Sequence, residues 1–295
     1  MELNLDCIPC FQKQVLKALE MNRTSERDKE RILRSVIKLL ARMDWSLTPP
    51  EIAHEVHGLL KRETGIRDPY RKAKRESNRT AMKLVPEIRD IIERSKDPLK
   101  TAIRASIAGN IMDFGPTGGD FDIHKTLYDV ITKDFAVDDY PRFRKALDGA
   151  ESVLFFTDNA GEIVIDKLLI ETMIEYTRKH GAGEPSVTVV VKGGPIINDA
   201  TMEDARFAGM NKIPGVSFRT TDNGDPGTGP VRHSDQVRQW VRESGITISK
   251  GQGNYEGLSQ FGGIFFLLIA KCSVIASDLG VEKGSIVMKH NRRKA

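Results

Sequence analysis

The sequence predicts an α/β protein in which a helical bundle precedes an α/β/α sandwich, and two patterns along its 295 residues support this prediction. From residue 1 to about 145, apolar residues recur three and four positions apart, and no β-rich run separates the turn signals. From about residue 152, short apolar runs alternate with helical patterns, which is typical of a mostly parallel sheet covered on both faces. We therefore expect a mainly helical domain at 1–145 and a Rossmann-like α/β/α domain at 146–295.

Turn signals divide the N-terminal half into successive helices. Apolar stripes predict helices at 11–21, 26–43 and 50–63, and a fourth from Tyr70 toward Leu84. Pro86 and Pro98 predict two further helix starts, because proline is favoured in the first turn of a helix. A last helix at 123–133 leads into the second half. Such a succession of amphipathic helices indicates a bundle.

The second half contains six apolar runs of strand length. They lie at 153–157, 187–191, 216–219, 246–249, 264–269 and 285–288. The first run contains only β-branched, aromatic or leucine residues, which is typical of a strand buried on both faces of a parallel sheet. This strand stops abruptly at Asp158, and the polar end of the strand is the first candidate for chemistry.

Composition and charge limit the class of protein. The formal net charge is +4 and the sequence pI is about 8.8, but basic and acidic residues are interleaved, which argues against nucleic acid as the partner. The densest basic runs, 71–79 and 289–294, are explained by a solvated helix face and a chain end. No apolar run reaches the roughly 18 residues of a membrane span, and the N-terminus does not resemble a signal peptide. We expect a cytoplasmic protein without a membrane partner.

Oxygen ligands follow two neighbouring strands of the predicted sheet. Asp158 and Asn159 come directly after the first strand, and Asp199 comes after the second, each before a helix. Ligands bind at the carboxyl edge of such sheets. Two carboxylates and an amide oxygen suit a hard divalent cation with open positions for water and a phosphate. The alternative is that Asp158 and Asp199 only cap the helices that follow them.

Two lysines add positive charge at later strand ends. Lys250 opens the run Lys250-Gly251-Gln252-Gly253-Asn254, in which two glycines let backbone N–H groups approach an anion closely. Lys271 follows the apolar run that ends at residue 270. Either feature alone is also compatible with an ordinary loop or a solvent-facing lysine.

Together these motifs resemble the metal-dependent damage-control phosphatases, formerly a domain of unknown function, and specifically their short archaeal and bacterial branch. The resemblance covers nearly the whole chain. It rests on Asp158-Asn159-Ala160-Gly161-Glu162, Gly193-Gly194-Pro195 with Asn198-Asp199, Lys250 to Glu256, and Lys271-Cys272 with Cys7 and Cys10. The family's Gly-Asn-Phe-Glu signature appears here as Gly253-Asn254-Tyr255-Glu256, which keeps the aromatic ring and adds a hydroxyl.

The resemblance implies roles for particular residues. Asp158, Asn159 and Asp199 would hold the metal, with Mn²⁺, Co²⁺ or Ni²⁺ expected and Mg²⁺ as an alternative. Lys271 and the loop of Lys250, Gly251, Gln252, Gly253 and Asn254 would bind the substrate phosphate. Further family positions are Glu162 and Glu256, and also Asn110 and Asp113, which are expected to face the cleft from the helical domain.

The activity implied is hydrolysis of phosphomonoesters of small metabolites, such as sugar phosphates, damaged nucleotides or cofactors. A metal-activated water is the favoured nucleophile. Direct attack by Asp158 or Asp199 is the alternative. It is weakened at Asp158 because residue 160 is Ala, where phosphatases of the haloacid dehalogenase type have a second Asp.

The three cysteines leave several interpretations open. Cys7 and Cys10 form a Cys-x-x-Cys pair, which is either two buried thiols, a redox pair or half of a metal site. A metal site would require Cys272 and a His from elsewhere in the chain. The family resemblance pairs this motif with Lys271-Cys272 and favours the approach of all three cysteines to the active cleft.

Two other functions compete with the phosphatase prediction. A Rossmann-like methyltransferase or nucleotide-binding enzyme fits the alternation of strands and helices, but the turn after the first strand lacks the G-x-G-x-x-G pattern. A non-enzymatic adaptor that binds nucleic acid through the helical domain would show salt-dependent binding. The sequence leaves the physiological substrate, the native metal and the oligomeric state open.

Overall fold

A computed structural model describes residues 1–110, 123–180, 183–221 and 235–292. The helices in these ranges are α1 (Cys7–Met21), α2 (Glu26–Arg42), α3 (Pro49–Thr64), α4 (Arg71–Arg94), α5 (Pro98–Ala108), α6 (Ile123–Thr132), α7 (Tyr140–Leu147), α8 (Glu162–Lys179), α9 (Met202–Ala208), α10 (Asp235–Glu243), α11 (Gln252–Leu258) and α12 (Ser273–Leu279). The strands are β1 (Val137–Asp138), β2 (Ser152–Phe156), β3 (Ser186–Lys192), β4 (Val216–Thr221), β5 (Ile246–Lys250), β6 (Ile264–Ile269) and β7 (Ile286–Asn291). None of these helices is both long and apolar enough to cross a membrane.

The strands form one sheet in the order β1-β7-β6-β5-β2-β3-β4. Every pair is parallel except β6 with β7, so the predicted mostly parallel sheet is confirmed. The chain builds outward in one direction from β2 through β3 to β4, and in the other from β5 through β6 to β7. The strand order therefore reverses between β2 and β5, which is the position where open α/β sheets bind ligands.

Side chains of successive residues of β2 point to opposite faces of the sheet, and each face has its own core. Val153 and Phe155 pack with helices that include α4, α5 and α8, while Leu154 and Phe156 pack with α10, α11 and α12. All four side chains are nearly inaccessible to solvent. This explains why the strand carries no charged residue: both faces exclude water. The structure thus has the three layers of an α/β/α sandwich.

Helices α1, α2 and α3 surround a third, separate core that extends from Phe11 to Tyr70. Helices α4 to α7 instead belong to the core on one face of the sheet. The division of the cores therefore falls near residue 70, whereas the sequence placed a domain boundary near 145. How the chain divides into domains stays a prediction, but apolar packing joins α4–α7 to the sheet.

Several elements differ from their sequence prediction: α7 was not predicted, and α11 begins at Gln252, inside the stretch predicted as a phosphate-binding loop. Pro86 does not start a new helix, because α4 continues through it from Arg71 to Arg94. Leu84, Ile88 and Ile92 form one buried stripe across the proline, and Pro86 itself is exposed, so water can bond the carbonyl that the proline leaves without a donor. The short edge strand β1 was not predicted, since two residues give no periodic signal.

Candidate active site

The point where the strand order reverses lies between two of the candidate motifs. Strands β2 and β5 are parallel neighbours, with Val153 opposite Ile246 and Phe156 opposite Ser249. Asp158 follows β2 and Gly251 follows β5, so both motifs emerge at the same edge of the sheet. Asn254 fixes this arrangement because its Nδ2 donates to the carbonyl of Thr157 and to that of Lys250, each at 2.9 Å.

Backbone hydrogen bonds bring the loop after β3 against the loop after β2. Ala200 N donates to Asp158 O at 2.8 Å, Ala160 N donates to Asn198 O at 2.9 Å, and Asn159 and Asp199 pair as an isolated antiparallel bridge. Asp158, Asn159 and Asp199, which the sequence groups as metal ligands, therefore lie side by side and line one cleft.

The helical unit α1–α3 supports the loop that carries Asp199. Ile197 packs against its core, and Lys61 on α3 donates to the carbonyl of Pro195. The backbone φ of Ile197 is +42°, which a β-branched residue rarely adopts. This conformation indicates that tertiary contacts, rather than local preference, determine the position of the loop.

Two amide side chains orient the carboxylates of the site. Asn159 Nδ2 donates to Asp158 Oδ2 at 2.6 Å and to Glu162 Oε2 at 3.2 Å. Asn110 Nδ2 donates to the same two oxygens, at 3.0 Å and 2.6 Å. Because Asn159 donates through its nitrogen, its carbonyl oxygen is the atom available to a cation. The donor set of two carboxylates and one amide oxygen fits a hard divalent metal.

A glycine makes room for the Asp158 carboxylate. Gly251 has φ +79° and ψ 166°, a conformation that only glycine adopts readily. A methyl group built on its Cα would lie 2.6 Å from Asp158 Oδ1, and closer still to Oδ2. The glycine predicted to approach an anion thus approaches the carboxylate of the candidate ligand itself.

Lys250 lies below the site rather than on the surface of the cleft. Its side chain is fully buried, and its ammonium donates to Glu162 Oε1 and Asp166 Oδ1, each at 2.6 Å, and to Ser106 O at 2.9 Å. Burial opposes the charged form, but the two carboxylates outweigh it and raise the pKa of Lys250. The sequence expectation that Lys250 contacts the phosphate has no support in this geometry, because three acceptors already occupy the ammonium and the side chain does not line the cleft.

The other residues of the predicted phosphate loop surround Lys271. The backbone N–H of Lys271 donates to Gln252 Oε1 at 3.2 Å, and the Lys271 side chain is partly exposed and lines the cleft together with Gln252, Gly253 and Asn254. Gln252 Nε2 also donates to Glu256 Oε1 at 3.2 Å. Lys271 is therefore positioned for an anion in the cleft, unlike Lys250.

The three cysteines and Glu256 line the same cleft. Gln252 Nε2 lies 3.3 Å from Cys272 Sγ. Burial, together with negative charge from Glu256, raises the pKa values of Cys7 and Cys10, and burial raises the pKa of Glu256 to about 7. No three His, Cys, Asp or Glu side chains in the described ranges are grouped closely enough to hold a metal.

Several residues that contribute to the site were not predicted from the sequence. Asp166 and Ser106 complete the surroundings of Lys250, and Ser106 Oγ donates to Asp166 Oδ1 at 2.6 Å. Lys192, at the end of β3, lies 3.6 Å from Asp199 Oδ2. A lysine before Gly193-Gly194 was a visible signal for Lys192, whereas a lone Asp or Ser within an apolar helix gave none. Asp113, which was expected to face the cleft, lies outside the described residues.

The fold and the cleft define a class: an α/β/α protein with carboxylate oxygens, an amide oxygen and a partly exposed lysine in one cleft, at the edge where the strand order reverses. Comparison with known proteins gives the family. The model of the damage-control phosphatase ARMT1-like domain matches residues 3–287, and the chain belongs to this family. The resemblance inferred from the motifs is thus confirmed, and family membership supports a phosphatase role.

Similar proteins are known from archaea. The chain is 34% identical over 262 residues to a damage-control phosphatase of Archaeoglobus fulgidus, with 86% of each chain covered. It is 32% identical over 298 residues to the damage-control phosphatase PH1575 of Pyrococcus horikoshii, with 100% of each covered. The crystal structure of that Pyrococcus protein, described as a member of the DUF89 family, superposes with a TM-score of 0.84 at 30% identity over 99% of this chain and 100% of the other.

Proposed function

We propose that this protein is a metal-dependent phosphatase that hydrolyses phosphomonoesters of small metabolites, such as sugar phosphates, damaged nucleotides or cofactors. The observation that carries the proposal is the convergence of Asp158, Asn159, Asp199 and Lys271 on one cleft at the reversal of strand order. The transition state of phosphoryl transfer spreads negative charge over the phosphoryl oxygens. A metal held by oxygen ligands and a nearby lysine would both stabilise this charge.

In this proposal Asp158, Asn159 and Asp199 hold the cation, with Mn²⁺, Co²⁺ or Ni²⁺ expected and Mg²⁺ as an alternative. A bound divalent cation supplies charge neutralisation at the phosphoryl oxygens and lowers the pKa of a nearby water. Lys271 binds the phosphate from the other side of the cleft. The two amide donors that hold Asp158 Oδ2 favour a fixed ligand over an attacking nucleophile.

We assign Lys250 a positioning role in place of direct phosphate contact. Its ammonium holds Glu162 Oε1, and Glu162 Oε2 holds the amides of Asn110 and Asn159. The buried cation therefore acts on the ligand set through one carboxylate. Such outer partners orient the residues that bind a metal and raise its affinity.

The test is phosphate release from a panel of phosphomonoesters by EDTA-treated protein, with Mn²⁺, Co²⁺, Ni²⁺ or Mg²⁺ restored in turn. Asp158→Asn and Asp199→Asn should abolish turnover and weaken Mn²⁺ binding, measured by electron paramagnetic resonance, by at least about 10-fold. Asp129→Asn, an exposed substitution on α6 outside the cleft, is the matched control. Metal-independent turnover, or unchanged Mn²⁺ affinity in both site variants, would refute the proposal.

A further inference from the structure

The cleft extends well beyond the space needed for one phosphate. Its volume is about 2050 Å³, and it runs from the candidate metal ligands along the first half of α4. Eleven Lys and Arg residues line it against six Asp and Glu residues. The whole chain has a formal net charge of only +4, so the positive charge is concentrated on this surface. Focused charge in a cleft attracts anionic ligands.

One edge of the cleft, the basic rim, is formed by Lys72, Arg79 and Lys83 of α4. These residues are seven and four positions apart, so they share one face of the helix. All three are exposed and line the cleft, and none of them forms an ion pair with a described residue. Glu76 lies on the same face of α4 and lowers the net charge of that face from +3 to +2.

Four of the other five cations of α4 differ from the basic rim because each has a carboxylate partner, whereas Arg71, at the first position of the helix, forms no ion pair with a described residue. Lys74 pairs with Asp204 at 3.0 Å with both side chains buried, and Arg75 pairs with Glu203 at 2.8 Å. Arg89 and Arg94 pair with Glu171 and Asp90, each at 2.7 Å. The structure thus pairs most of the other cations of α4, including Lys74 and Arg75 at the cleft, while those of the basic rim remain available to a ligand.

Asn78 attaches α4, the helix of the basic rim, to the loop that carries two of the candidate metal ligands. Its Oδ1 accepts a hydrogen bond from Gly161 N at 2.6 Å, in the loop that carries Asp158 and Asn159, and its Nδ2 donates to Asp204 at 2.8 Å. Along the helix axis, Arg79 is about 1.5 Å and Lys83 about 7.5 Å from Asn78. A group at the basic rim is therefore within the reach of one small metabolite bound at the metal ligands.

We propose that the basic rim is a second anion subsite, and that the preferred substrates carry a second phosphate at the end remote from the phosphomonoester that is hydrolysed. This inference rests on the proposed phosphatase function. The first phosphate binds at Asp158, Asn159, Asp199 and Lys271, and the second accepts hydrogen bonds from Arg79 and Lys83. Charged hydrogen bonds of this kind give specificity because a ligand with one phosphate cannot form them.

The experiment compares initial rates of phosphate release from glucose 1,6-bisphosphate with those from glucose 1-phosphate and glucose 6-phosphate. The test variant is Arg79→Gln/Lys83→Gln. The matched control is Lys38→Gln/Arg42→Gln, which also removes an exposed Lys and Arg four positions apart, but on α2 outside the cleft. We expect the test variant to lower kcat/KM for the bisphosphate about tenfold, mainly through KM, and to leave the monophosphates within about twofold.

The possible results separate the two proposals. Equal losses for mono- and bisphosphates, or no loss in the test variant, would overturn the subsite and leave the phosphatase function standing. Calorimetric binding of the same three sugars to metal-free protein provides the second measurement. Preferential binding of the bisphosphate that is lost in the test variant would support the subsite even if no sugar were hydrolysed. Stronger competition by a 5′-phosphorylated single-stranded oligonucleotide than by the bisphosphate would assign the basic rim to nucleic acid and refute the inference.

Discussion

Replacing Gly251 by alanine tests whether the loop after β5 and the Asp158 carboxylate form one unit. The new methyl group would lie 2.6 Å from Asp158 Oδ1 and closer to Oδ2, whereas real Cβ atoms essentially never approach another heavy atom within 3.0 Å. The carboxylate therefore has to move. Moving it breaks the hydrogen bonds from Asn110 at 3.0 Å and from Asn159 at 2.6 Å.

Two effects set the expected magnitude. The backbone at Gly251, with φ +79° and ψ 166°, costs an alanine roughly 1–3 kcal/mol, so the midpoint of urea unfolding should fall while the protein still folds. The displaced carboxylate is a candidate metal ligand. We therefore expect kcat/KM for a phosphomonoester to fall by about 100-fold or more, and Mn²⁺ affinity to fall with it.

Gly149→Ala is the matched control because it lies outside the cleft, between α7 and β2, and a Cβ there meets nothing within 4 Å. It should keep full activity and stability. Activity is measured as metal-dependent phosphate release, and Mn²⁺ affinity by electron paramagnetic resonance. If Gly251→Ala retains the activity and Mn²⁺ affinity of Gly149→Ala, the close approach of Gly251 to Asp158 has no functional consequence and the reasoning fails.

Three further predictions concern the buried charges around the cleft. Lys250→Met leaves two buried carboxylates without their cation, so it should lower the free energy of unfolding, measured by urea titration, by about 3–5 kcal/mol. Lys271 is partly exposed, so Lys271→Met should reduce activity with little change in stability. Burial raises the pKa of Glu256 to about 7 because it favours the neutral carboxyl group, so the contribution of Glu256 to stability is complete below about pH 4.5 and is lost as the pH rises through 7. Glu256→Gln should therefore be more stable than the wild type at pH 8. Equal stability of the two proteins at pH 8 would contradict this. Burial raises the pKa values of Cys7 and Cys10 and so lowers the fraction of the reactive thiolate. Iodoacetamide should therefore alkylate these cysteines more slowly at pH 8 in the folded protein than in urea. Faster labelling of the folded protein would indicate activated thiolates instead.

Local patterns in the sequence were enough to find most of the elements. Strand β2 was evident because both of its faces are buried, which excludes charged residues over its whole length. The continuation of α4 through Pro86 could not be predicted, because it depends on the stripe of Leu84, Ile88 and Ile92, which belongs to the core that α4 forms with α5 and α8 on one face of the sheet. Tertiary packing outweighs the tendency of a proline to end a helix when the carbonyl four residues earlier, which the proline cannot bond, is open to water.

The candidate site, like the fold, was predicted in part from local patterns and depends in part on tertiary contacts. The sequence grouped Asp158, Asn159 and Asp199, because polar residues at the ends of consecutive parallel strands meet at one edge. It also placed Lys250 beside them, but as a phosphate ligand. Burial decided otherwise: Glu162 and Asp166 surround the ammonium, and Asp166, one turn after Glu162 on the same face of α8, lies outside the recognised motifs and gave no signal.

The sequence by itself determined the fold class and the family and grouped Asp158, Asn159 and Asp199 as candidate ligands, because these inferences depend on periodicity and on residue types at short spacing. Only the tertiary structure decided that β5 lies beside β2, that Gly251 adjoins Asp158, and that Lys74 and Arg75 of α4 are paired while the cations of the basic rim are not. Each of these facts depends on residues that are far apart in the chain. These distant contacts set the environment of each side chain. That environment decides whether a lysine is buried in an ion pair or available to a ligand.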